Sequence, residues 1–75
     1  MIVTVNNKQV FQAINTEFSF YVPTGEYTLY MSADGINYTA YHETIQGEDT
    51  VVVSGVVPSM YFYIDGLSSD IKVNI

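Results

Sequence analysis

Residues 17–35 read EFSFYVPTGEYTLYMSADG. In the first six, Phe18, Phe20 and Val22 alternate with Glu17, Ser19 and Tyr21. Successive side chains of a β-strand point to opposite faces, so this is a period-two pattern with the phenylalanines facing inward. Pro23-Thr24-Gly25 then turns the chain. Glu26 to Ser32 repeats the alternation, with Tyr27, Leu29 and Met31 set against Thr28 and Tyr30. Asp34-Gly35 follows, a pair suited to the positive φ of a tight hairpin turn. Two amphipathic strands bounded by turn residues make this stretch β, and the rest of the chain follows its punctuation.

The residue vocabulary agrees throughout. Val, Ile, Thr, Tyr and Phe dominate, and these side chains fit a pleated, half-buried surface. Strong helix formers are scarce, leucine occurring only at Leu29 and Leu67, and no segment sustains a 3.6-residue apolar period. Ile2 to Val5 reads as a first strand, Asn6-Asn7-Lys8 as a hairpin signal, and Gln9 to Ile14 as the second strand. Beyond Asp34-Gly35, Asn37 to Ile45 pairs back as the next strand. Thr50 to Val57 is a valine-rich run interrupted at Ser54-Gly55, where the glycine suggests a bulge. Met60 to Ile64 reads as the next strand, closed by Asp65-Gly66. Ile71, Val73 and Ile75 alternate with Lys72 and Asn74 in the last. Short strands at roughly 8–10-residue spacing predict an all-β fold: a small antiparallel β-sandwich or jelly-roll-like barrel of about seven to eight strands. Residues 1–75 contain no linker, low-complexity segment or internal repeat, which predicts a single domain.

A 75-residue chain buries only about 60% of the surface its unfolded form exposes, so a partner or a staple is expected to supplement the core. The chain has no cysteine, which removes a disulfide framework and any thiolate metal site. Self-association or docking on something larger is the remaining stabiliser. Eight Asp and Glu against two Lys and Arg give a formal net charge of −6. Nucleic acid binding needs a basic footprint, and an anionic membrane repels this balance, so neither is expected. The opening MIVTVNNKQV has no basic n-region and is polar by position 4, which predicts cytoplasmic synthesis without a signal peptide.

Chemistry is sparsely supplied. Glu48 and Asp49 are adjacent, but two carboxylates working on a glycosidic bond need a cleft between them, and acidic residues in turns explain them better. Asp34, Asp65 and Asp70 sit at turns without the spacing of a calcium loop. His42 lies in AYHET on a strand, and no nucleophile-elbow motif accompanies it. The expectation is no catalytic residue, no metal and no cofactor.

The seven tyrosines carry more. In the strand YFYI, residues 61–64, Phe62 and Ile64 face the core with Met60, which turns Tyr61 and Tyr63 outward. The same parity turns Tyr21 and Tyr30 outward. Outward tyrosines offer large area at low entropic cost and keep a hydroxyl for hydrogen bonding, so Tyr21, Tyr30, Tyr61 and Tyr63 are the candidate interface. Cross-strand aromatic pairing on a solvated face is the competing reading. A stacking surface for sugars also remains open.

The order Ser32-x-Asp34-Gly35-x-Asn37-Tyr38, a strand, a valine strand, the aromatic strand and a final Ile-x-Val-x-Ile runs over residues 27–75. It resembles small β-sandwich virion proteins of tailed phages, of the head decoration or auxiliary capsid type. It also resembles the C-terminal half of discoidin-like jelly-roll modules, a family about twice this length whose ligand-binding loops have no counterpart here. The phage resemblance implies a non-enzymatic structural protein, made in the host cytoplasm and located in the virion. It implies binding to itself as a homo-oligomer and to the major capsid protein or other virion proteins. The alternative is a small carbohydrate-binding β-sandwich module.

Overall fold

The computed structural model describes all 75 residues, Met1–Ile75. It contains eight strands: β1 (Ile2–Val5), β2 (Phe11–Gln12), β3 (Glu17–Val22), β4 (Glu26–Ser32), β5 (Thr39–Gln46), β6 (Asp49–Ser54), β7 (Tyr61–Asp65) and β8 (Ile71–Asn74). They form two four-stranded sheets packed face to face, one in the order β1-β8-β3-β6 and the other β2-β7-β4-β5. Every pairing is antiparallel. The fold is therefore all-β and sandwich-like, with strands adjacent in sequence placed in opposite sheets. Only β4 and β5 remain neighbours in one sheet.

The period-two pattern explains the core. Phe18, Phe20 and Val22 from β3 are buried, as are Tyr27 and Leu29 from β4, Val51 and Val53 from β6, Phe62 and Ile64 from β7, and Ile71 and Val73 from β8. Phe18 lies at the centre. Its ring centroid is 4.7 Å from that of Phe62 and 5.4 Å from that of Phe11, both edge-to-face, the arrangement the ring quadrupole favours. Tyr27 is the one buried tyrosine, and its hydroxyl donates to the carbonyls of Pro23 and Thr24 at 3.0 and 3.3 Å. The buried phenol thus holds the β3–β4 connection against the core and leaves no polar atom unsatisfied.

The structure corrects three of the sequence expectations. Asn6-Asn7-Lys8 is not a hairpin: β1 pairs with β8 and β2 with β7, so this segment crosses between sheets. The Asn7 side-chain carbonyl accepts from the Gly66 and Leu67 amides at 2.8 and 3.0 Å, tying the crossover to the β7–β8 turn. The second strand shrinks from Gln9–Ile14 to Phe11–Gln12, because β7 offers it a partner only there in regular register. Gly55 does not mark a bulge; β6 ends before it, and β3–β6 pairing is regular from Val22↔Asp49 to Glu17↔Ser54. The bulges fall instead in β5, whose pairing with β4 slips twice, between Tyr27↔Ile45 and Leu29↔His42 and again before Tyr30↔Ala40. That double slip leaves Thr39 to Thr44 exposed on an edge strand.

Candidate functional site

The outer face of the β2-β7-β4-β5 sheet carries an aromatic cluster. Register places Tyr30 opposite Tyr63 and Ser32 opposite Tyr61. Cross-strand partners share a face, so these residues rise from the sheet together. The Tyr30 and Tyr63 rings stack at a centroid distance of 4.7 Å and an interplanar angle of 15°. Tyr38, just past the β4–β5 turn, meets Tyr63 edge-on at 4.9 Å.

The turn itself completes the cluster by folding back over Tyr61. A Cβ at Gly35 would stand 3.1 Å from the Tyr61 ring, so the backbone there can approach this closely because residue 35 has no side chain. Asp34 holds the turn. Its Oδ1 accepts from the amides of Ile36 and Asn37, each at 2.8 Å, and from the Ser32 hydroxyl at 2.9 Å. Its Oδ2 accepts from Asn37 Nδ2 at 2.7 Å. Ser32 Oγ in turn accepts from the Gly35 amide at 2.8 Å, which explains the one buried polar residue of the chain. The Asn37 and Ile36 amides, then the two side chains, hold the Asp34 carboxyl well below the usual carboxylate range. Desolvation, and then the neighbouring Tyr61, Tyr63 and Asp34, push the Tyr38 phenol up, so it is neutral at physiological pH.

Tyr30, Tyr38, Tyr61 and Tyr63 are all half-buried. The phenols bonded within the chain are those of Tyr21 and Tyr27. No buried side-chain oxygen or nitrogen lacks a partner, so the hydroxyls of the four clustered tyrosines reach solvent. Ile36, at the tip of the turn, is 80% exposed and adds an apolar point beside the cluster. The arrangement is a ridge of ring edges and free hydroxyls with an apolar tip. The Tyr30–Tyr63 stack uses one face of each ring on the other, which makes the ridge a poor flat platform for a sugar.

The four candidate interface residues therefore divide. Tyr30, Tyr61 and Tyr63 come together, whereas Tyr21 lies on the opposite sheet, across from Thr50. Tyr21 is half exposed, and its hydroxyl donates to Glu48 Oε2 at 3.2 Å. Desolvation, followed by the Glu48 carboxylate, pushes its phenol up. Tyr38 takes the place of Tyr21 in the cluster. Its position directly after the Asp-Gly turn was the available signal, since a turn that folds back delivers the next residue onto the sheet.

Elsewhere the groups stay apart. Asp34, Asp65 and Asp70 do not converge, and no three His, Asp or Glu side chains are placed to hold a metal ion. His42 is exposed on β5, and Glu48 is engaged by Tyr21. A shallow hollow of about 540 Å³, lined by Asn15, Glu17, Ser19 and Asn74 among others, opens on the other sheet without a second titratable side chain beside Glu17. The chain matches no family model, no curated protein and no solved structure.

Proposed function

We propose that this protein is a non-enzymatic structural protein that binds a repeating protein shell, a capsid decoration or auxiliary protein of a tailed-phage virion. The observation that carries this reading is the tyrosine ridge. Four half-buried tyrosines stand outside the core, ordered by strand register, by their ring contacts and by the Asp34 turn over Tyr61, with their hydroxyls unbonded within the chain. Pre-ordered aromatic side chains with free polar tips are what the centres of protein interfaces use, since little entropy remains to be lost on docking.

The strand order supports the same reading. β1-β8-β3-β6 facing β2-β7-β4-β5 is the order of a double-sheet jelly roll, an architecture shared by viral capsid and lectin domains. A fold hosts many functions, so the ridge and not the fold carries the proposal.

Co-sedimentation of the purified protein with shells of its source virion tests it. The expected result is saturable binding that Tyr63→Ala and Ile36→Asp weaken while the far-ultraviolet circular dichroism stays unchanged. Absence of binding to any virion shell overturns the proposal. Saturable binding on a glycan array without shell binding replaces it with the carbohydrate-binding reading.

A further inference from the structure

A strand at a sheet edge presents unpaired N–H and C=O groups that template pairing with another chain. Natural sheets blunt such edges with short strands, lysines, prolines or bulges. This sandwich has four edge strands: β1, β6, β2 and β5. β2 is two residues long. β5 is broken by its two register slips. β1 is four residues long, and Lys72 Nζ donates to Thr4 Oγ1 at 3.0 Å, which lays a charged lysine across it. β6 has none of these protections. Its six residues, Asp49–Ser54, pair with β3 without interruption, and no strand pairs with their other side. Val52 at its middle points outward and is 60% exposed.

We propose that β6 is a self-pairing edge, through which two copies of the chain join antiparallel and merge their β1-β8-β3-β6 sheets into one. The sequence of β6 selects the register. A two-fold axis perpendicular to the sheet keeps core-facing residues of both copies on one side, so opposed residues must have the same parity. Centred on Val52, the pairing sets Val52 against Val52 of the second copy, Val51 against Val53, and Thr50 against Ser54. The two Asp49 carboxylates then lie about 20 Å apart, at roughly 3.4 Å per residue. That exceeds the screening length of about 8–10 Å at physiological salt, so repulsion between them is small. Centring on Thr50 or Val51 sets Asp49 against a valine and draws the two carboxylates to about 7 or 14 Å by the same spacing. Centring on Val53 shortens the paired segment.

The pairing uses the sheet opposite the tyrosine ridge and leaves both ridges free. It does not depend on what the ridge binds.

The absence of cysteine makes the test direct. Antiparallel partners have Cα atoms about 4.5–5.5 Å apart, within the range a disulfide spans. Val52→Cys is expected to form a covalent dimer on mild oxidation at least about tenfold faster than Ile36→Cys, because pairing replaces collision with proximity. Sedimentation equilibrium is expected to show a monomer–dimer equilibrium for the unmodified chain at concentrations up to about 1 mM. Val52→Lys, a surface change that sets two like charges face to face, is expected to leave only folded monomer. Equal cross-linking rates at positions 52 and 36, a dimer unaffected by Val52→Lys, or a monomer at every concentration would overturn the proposal. Shell binding by the Val52→Lys monomer reads the ridge alone, which keeps the two proposals separable.

Discussion

At the scale of single residues, Phe62 and Tyr63 are neighbours with different work. Phe62 is fully buried against Phe18, whereas Tyr63 stands on the solvent side between Tyr30 and Tyr38. Phe62→Ala removes a large core side chain and is expected to lower stability in urea unfolding by about 3–5 kcal/mol. Tyr63→Ala loses two aromatic contacts and is expected to cost about 1–2 kcal/mol. Comparable losses would mean that the ridge is a second core. Asp34 supplies a pH-dependent counterpart. Its folded-state pKa is depressed, so the turn contributes stability above the ordinary carboxylate pKa and loses it as pH falls from there toward the folded value. Stability in urea unfolding is expected to hold down to about pH 4 and to fall progressively below it, while the near-ultraviolet circular dichroism of the tyrosine cluster persists in the protein that is still folded. Asp34→Ala is expected to lack that signal at neutral pH. An acid profile unchanged in Asp34→Ala would assign the loss to other carboxylates.

At the scale of elements, the strands most readable from sequence were those buried on one face. EFSFYV and EYTLYMS appear as β3 and β4 with the boundaries that alternation predicts, because a one-residue slip would turn Phe18, Phe20 and Leu29 to solvent. Asn6-Asn7-Lys8 misled for a physical reason. Turn residues report that the chain reverses locally, but not whether the reversed segment rejoins the same sheet. β5 was readable as a strand and unreadable as a bulged one, since its exposed residues leave no apolar pattern to fix register. The ridge was half readable: parity turned Tyr30, Tyr61 and Tyr63 outward, but which outward face each occupies depends on strand order, and that set Tyr21 on the other sheet. The connections are strict where elements touch. Gly66 has φ +112°, and a Cβ there would stand 2.5 Å from the Glu26 carbonyl oxygen. Gly66→Ala is therefore expected to destabilise by about 1–3 kcal/mol in urea unfolding. A neutral result would show that the β7–β8 turn relaxes away from β4.

At the scale of the whole molecule, most contacts join distant parts of the chain. β1 pairs only with β8, and β8 in turn joins β1 to β3. Removing residues 71–75 takes Ile71, Val73 and Ile75 from the core and leaves β1 without a partner, so that variant is expected to show no cooperative unfolding transition. A truncated chain that still unfolds cooperatively would mean that the second sheet folds alone. All-β domains built on such long-range pairings fold in milliseconds to seconds. Only β4 and β5 form a hairpin within one sheet, so they are the one pair that sequence proximity brings together early. The place of β8 between β1 and β3 also sets an order in time during synthesis. Until Ile71 to Asn74 have cleared the ribosome, Ile2 to Val5 has no complete strand to join, so β1 waits on a strand made long after it.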